Sequence, residues 1–292
     1  MLKDNARSWN VSVWGSVARD IGSLLARYHL MKGQDTKLDT QVQELLTATN
    51  ERFEKWLHGN YDASLNLSYI PCPASVHQIA PYLAAMRRQR VALIVMDGMN
   101  WWQWRIIAQG LGQHGLAIET VSSPLACIPT ITSISRSTIF AGRLPSYFFQ
   151  IGHRPDEATL WQKFWDENEL APEHAFVHVV GPTSNLTSSL EKAIPASVRV
   201  FAAVIPKIDE LIHATGLTAR LLAAAVHSWA TESELSDYLR GLLDAGYDVY
   251  ITADHGNTFS SGIGANSSGV LAEENGRRAR IFESRILRDS FV

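Results

Sequence analysis

From residue 91 onward the chain alternates short apolar runs with longer segments of helical spacing. The apolar runs are "VALIVMDGMN" (91–100), "AFVHVVG" (175–181), "VRVFAAVIP" (198–206) and "YDVYITADHG" (247–256). Runs of this length suit strands buried on both faces. Between them "SISRSTIFAGRL", "LTARLLAAAVHSWAT" and "ESELSDYLRGLLDAG" repeat apolar residues three and four apart, the spacing of an amphipathic helix. Strands alternating with helices predict an α/β fold with a mostly parallel sheet between helix layers.

The first 60 residues have no strand pattern. "VWGSVARDIGSLLARYHLM" and "DTQVQELLTATNERFEKWLHGN" predict two helices, with Asp39 and Thr40 as the cap of the second. "YDASLNLSYIPCPAS" (61–75) is polar, bears proline and is expected to be a linker. "VHQIAPYLAAMRRQR" then predicts a short helix with a basic end. The expected division is a helical region over 1–75 and an α/β core over 76–292. After residue 259 a Gly/Ser loop leads to "GRRARIF", a segment expected to form a strand.

Composition narrows the class. In 292 residues, 46% are apolar and 19% charged, so a chain of this size can bury a real core. The net charge of −3 gives the whole molecule no general pull on nucleic acid or membrane, although a local basic groove stays open. Two cysteines, Cys72 and Cys127, are too few for a disulfide framework and suit a reducing compartment. The N-terminus lacks the apolar core of a signal peptide, and no segment has the apolar length that spans a bilayer. A cytoplasmic protein without membrane association is expected.

Open α/β sheets bind ligands beyond the carboxyl ends of their strands. Asp97 ends the first predicted strand, and Asp254 and His255 end the last. Asp209 follows a third, with His213 four residues on, so that the two share a face if the segment is helical. Carboxylates crowded at one edge repel one another and are costly to desolvate unless a cation joins them. Mixed Asp and His donors suit Zn²⁺ or Mn²⁺, and this many donors serve two ions more naturally than one.

A nucleophile is available in "CIPTITSISRSTIFAG", where Thr130, Thr132 and Ser133 follow Pro129 at a predicted helix start. The helix N-terminal amides favour phosphate there, and a metal would lower the hydroxyl's pKa. Each feature also has a structural reading. Asp-Gly after a strand is a common turn, Asp209 could cap a helix, and Thr132 could be a first-turn residue. The aromatic group Trp101, Trp102 and Trp104 reads as core packing before it reads as a base-stacking platform. Arg136 and Arg143 read as solvated residues before phosphate contacts.

The order Asp97, "PTIT", Asp209-x-x-x-His213 and Asp254-His255-Gly256 resembles the alkaline phosphatase superfamily. More narrowly, "VALIVMDGMNWWQW", "IPTITSISRSTIFAGRLPSYF", "FWDENE" and "ITADHGN…GIG…GVLAEENGRRARIF" resemble the PglZ domain of BREX phage-defence systems, over roughly residues 76 to 283. The resemblance implies two bound divalent metals. Asp97, Thr132, Asp254 and His255 would hold one, and Asp209 and His213 the other. It implies Thr132 as the nucleophile, matching the second Thr of a Pro-Thr-x-Thr pattern, with a covalent intermediate released by water at the second metal. "CIPTI" is also near the sulfatase signature, but Ile131 stands where that signature has Arg, so Cys127 reads as a buried thiol.

The resemblance therefore implies a metal-dependent hydrolase, a phosphodiesterase acting on a phosphodiester or nucleotide, with other BREX proteins and nucleic acid as candidate partners. The alternative is a non-catalytic scaffold of a phage-defence complex. A monoester phosphatase or phosphomutase ranks last, since no clear monoester-binding signature is present. One departure bears on activity: the superfamily's second metal takes a further His downstream, and no His follows His255. PglZ relatives continue with more strands and a late "HGG"-type segment, and extend further on the N-terminal side. The chain is thus expected to be truncated, with an uncovered sheet edge or core near residues 280 to 292.

Overall fold

The computed structural model of the protein describes residues 9–33, 35–148, 155–181, 186, 194–213, 218–259 and 286. The expected C-terminal strand and the expected uncovered edge near 280–292 lie outside these residues. No described helix is long and apolar enough to cross a membrane.

Among the described residues, four strands, β1 (Val91–Met96), β2 (Ala175–Val179), β3 (Val200–Ile205) and β4 (Asp248–Ala253), form a parallel sheet in the order β2-β3-β1-β4. All four coincide with the apolar runs. β1 and β3, at the centre, are buried along their whole length. The two-residue period sends Ala92, Ile94 and Met96 to one side of the sheet and Val91, Leu93 and Val95 to the other. Both sides are apolar, so both need a helix layer. Each fully buried Leu, Ile or Val here contributes roughly 1.5–3 kcal/mol.

The first layer contains α1 (Val11–Leu30), α4 (Trp101–Gln113), α7 (Lys207–His213), α8 (Ala219–Thr231) and α9 (Ser233–Asp244). The second contains α3 (Ile79–Ala85), α5 (Thr132–Ala141) and α6 (Glu157–Asp166). The chain is an α/β protein with its sheet between these layers.

Helix α2 (Thr36–Leu65) begins and ends outside its expected bounds. Asp35 is its N-cap, accepting from the amides of Lys37 and Leu38, so Asp39 lies inside the first turn rather than capping it. The helix continues to Leu65 because no Gly or Pro intervenes between Tyr61 and that residue. The expected linker is therefore helical over its first five residues, 61–65.

The N-terminal helices dock on the sheet-bearing part of the chain. α1 crosses α4 at Gly22, where a Cβ would lie 2.5 Å from the Trp101 Cβ, so only glycine permits this approach. Trp14, Phe53 and Trp56 join α1 to α2 in a separate aromatic cluster.

Candidate metal centre

The last residues of β1 and β4, Met96 and Ala253, are register partners. The residues that follow, Asp97 and Asp254, therefore leave the sheet side by side. Gly98 turns the chain sharply with φ of +68°, a left-handed conformation suited to glycine. Its amide donates to Asp254 Oδ1 at 3.1 Å, and the His255 amide donates to the same oxygen at 2.9 Å. The other oxygen, Asp254 Oδ2, is buried with no hydrogen-bond partner. It lies 3.7 Å from His255 Nε2.

His255 is oriented by its own backbone. Nδ1 is 2.9 Å from the Gly256 carbonyl, which only accepts, so Nδ1 carries a proton. In the neutral ring Nε2 then has a free lone pair, the state a metal ligand needs. Thr132 Oγ1 lies 2.9 Å from Nε2 and 3.5 Å from Asp97 Oδ1. Asp97 Oδ1 is 3.9 Å from Nε2. Asp97, Asp254 and His255 are all buried, and one donor atom from each falls within 4.8 Å of the others.

Thr132 is the first residue of α5, and its N-cap, Ile131, supplies no side-chain cap. The helix is anchored a turn later, where Ser135 Oγ donates to the Asp254 carbonyl and accepts from the Cys127 amide at 3.2 Å. Cys127 itself is buried, and burial raises its thiol pKa.

Electrostatics are tight around the centre. Burial pushes the Asp254 carboxyl up to about 6, with the nearby Asp97 adding to the rise and His255 opposing it. Asp209 is raised first by burial and then by Asp97. Burial disfavours the charged form of Arg136, but the carboxylates of Glu157, Asp97 and Asp254 more than offset this and leave its pKa raised.

Asp209 and His213 stand at the margin. They lie on α7, four residues apart, with His213 Nε2 3.3 Å from Asp209 Oδ1. A Cβ on Gly98 would be 3.7 Å from Asp209 Oδ1 and 3.8 Å from His255 Cε1, so Asp209 borders the centre. The His213 side chain is 76% exposed. Among the described residues Thr132, and not Thr130, is hydrogen-bonded to this group.

Trp102 is buried in the core and meets the His29 ring edge-on, while Trp101 abuts Gly22. The tryptophan group is thus packing rather than a base platform. Arg143 pairs with Glu167 on the surface.

Arg136 departs from its sequence reading. It is largely buried and forms ion pairs with Asp97 and Glu157. The available signal was its position four residues after Thr132, on the same helix face. Glu157 carried no such signal. Nor did Asn257, whose side-chain amide donates to the Gly98 carbonyl at 2.6 Å and Gln103 Oε1 at 2.7 Å, bracing the two strand-end loops.

Residues 76–287 match the family described as the BREX system PglZ alkaline phosphatase-like domain. No curated protein matches the chain.

Proposed function

Since the chain belongs to the PglZ family of BREX alkaline phosphatase-like domains, we propose that it is a metal-dependent phosphoesterase of phage defence, hydrolysing a phosphodiester or nucleotide. The observation that carries this reading is Asp254 Oδ2, a buried carboxylate oxygen without a partner beside His255 Nε2. Leaving such an atom unsatisfied costs free energy that a cation would recover. Charge balance agrees: Asp97, Asp254 and Glu157 face one guanidinium, Arg136, leaving two negative charges uncompensated.

In this reading Asp97, Asp254, His255 and Thr132 hold one divalent ion, Zn²⁺ or Mn²⁺. Asp209 and His213 serve a second. The bound ion would supply Lewis acidity and make a hydroxyl nucleophilic at neutral pH. Thr132 Oγ1 lies 2.9 Å from His255 Nε2, close enough for both to meet one ion, at the uncapped start of α5, where first-turn amides favour an anionic phosphoryl group. Thr132 Oγ1 attacks phosphorus as its hydroxyl proton passes to solvent, and the ester oxygen leaves with the bonding pair and takes a proton from solvent. A water oxygen then bonds to phosphorus, the O–P bond to Thr132 breaks, and Thr132 Oγ1 leaves with the pair and takes up the proton that the water gives up. Residues 76–292 carry this chemistry, and the helices of 1–75 brace it. Other BREX proteins are the partners this family implies.

A second reading, a metal-binding but non-catalytic component of a BREX assembly, is favoured by the exposure of His213. Metal analysis of the purified protein, with hydrolysis assays on bis(p-nitrophenyl) phosphate and p-nitrophenyl phosphate, separates the two. Chelator-sensitive diester hydrolysis supports the enzyme. Bound metal without hydrolysis supports the non-catalytic component, and absence of both sinks each reading.

A further inference from the structure

We propose that Arg136 is a positioning residue that holds Asp97 as a one-oxygen donor, and that the Arg136–Glu157 pair thereby sets which cation the centre accepts. This rests on the metal-binding reading above. Arg136 Nη1 lies 2.7 Å from Asp97 Oδ2, and Arg136 Nε lies 2.9 Å from Glu157 Oε1. The three side chains are 15%, 9% and 15% exposed, respectively, so the pairs are shielded from water.

The consequence is geometric. With Oδ2 occupied, only Asp97 Oδ1 faces Thr132 Oγ1 and His255 Nε2. Asp254 is restricted in the same way by different means, because two backbone amides occupy its Oδ1. Each carboxylate thus presents one oxygen. Together with His255 Nε2 and Thr132 Oγ1, the protein offers three oxygens and one nitrogen. Such a set suits Zn²⁺, which takes four donors, over Ca²⁺, which takes six to eight oxygens and often both oxygens of a carboxylate.

The clamp is anchored in the fold. Glu157 is the first residue of α6, capped by Asp156, where a carboxylate is favoured by the helix N-terminus. α6 therefore places Glu157, Glu157 aims the guanidinium, and the guanidinium occupies Asp97 Oδ2. Lysine lacks the planar fork that addresses two carboxylates at once. Arg136 touches no reacting atom in this scheme and acts only through Asp97.

The test uses the full chain and calorimetric titration with Zn²⁺ and Ca²⁺ in the parent, Arg136→Gln and Glu157→Gln. Removing the Arg136 charge strengthens binding of every divalent ion, so the informative quantity is the Zn²⁺-to-Ca²⁺ affinity ratio, in which that common effect cancels. We expect the ratio to fall about tenfold in Arg136→Gln, the lower end of what losing a ligand's supporting hydrogen bond costs. Glu157→Gln, which keeps the guanidinium but loosens it, should shift the ratio in the same direction by less. The visible spectrum of bound Co²⁺ should also weaken as coordination expands. An unchanged ratio and Co²⁺ spectrum in folded Arg136→Gln overturn the inference while leaving the metal-binding reading intact. If Arg136→Gln does not fold, an unchanged ratio in Glu157→Gln overturns it. A parent that binds none of these ions overturns both.

Discussion

The phenolic oxygen of Tyr61 lies 2.7 Å from the backbone nitrogen of Ile128 and accepts its N–H. Tyr61 is near the end of α2, outside the family-matched span, and Ile128 is four residues before Thr132. Burial pushes the Tyr61 hydroxyl up to about 12, so it remains a neutral acceptor through the physiological range. The N-terminal helices thus hold the segment that leads into α5. Tyr61→Phe keeps the ring and deletes the bond. It should cost about 0.5–1.5 kcal/mol in denaturant unfolding, and it should lower kcat for the diester more than it changes KM. Unaltered kcat would separate Tyr61 from the function of Thr132.

Thr132→Ala and Asp254→Ala should differ in kind. Thr132→Ala removes the candidate nucleophile but leaves Asp97, Asp254 and His255, so diester hydrolysis should vanish with metal largely retained. Asp254→Ala removes a buried carboxylate donor and should lose both. Metal content and turnover measured on the same preparations decide the matter. Full activity in Thr132→Ala would transfer the nucleophile to Thr130 or to a metal-bound hydroxide.

Asp254 makes stability depend on pH. Its folded pKa of about 6 lies above the ordinary 3.8, so the folded protein holds the proton more tightly than the unfolded chain. The stabilisation from that proton is complete below about pH 4 and is lost as pH rises through 6. Zn²⁺ competes with the same proton. The increase in Tm on adding Zn²⁺ to chelator-treated protein should therefore be larger at pH 7.5 than at pH 5. Asp254→Asn keeps an oxygen for the amides of Gly98 and His255 and removes the charge. It should raise the metal-free Tm at pH 7.5 and abolish the response to Zn²⁺. An equal Tm increase at both pH values would count against Asp254 as a ligand.

Gly22 tests the docking of α1. A leucine there would place its Cβ against Trp101, where the available distance is 2.5 Å. The helices would have to separate, at about 1–3 kcal/mol. Unfolding monitored by tryptophan fluorescence should show that loss for Gly22→Leu. Parent-like stability would mean that α1 does not pack on α4 in this way.

The apolar runs by themselves determined the described strands. β1 and β3 are buried on both faces and must be apolar along their length. β2 and β4, expected to be buried in the same way, are partly exposed strands at the edges of the described sheet and owe their place to β-prone residues. The runs also placed Asp97, Asp254 and His255 at strand ends, since the two aspartates follow their runs directly and His255 comes next after Asp254. The Asp209–His213 spacing likewise needed only a helix. Other relationships came only from tertiary structure. Arg136 and Glu157 are 21 residues apart, and their meeting depends on how α5 packs against α6. Tyr61 reaches Ile128 across 67 residues because the N-terminal helices dock on the core. Which oxygen of Asp254 lacks a partner depends on the register of β1 with β4, which brings the Gly98 amide to the other one. A local pattern specifies which face of an element is apolar and which residues lie one turn apart. It carries no information on which distant element fills that face, and these three contacts are set by that packing.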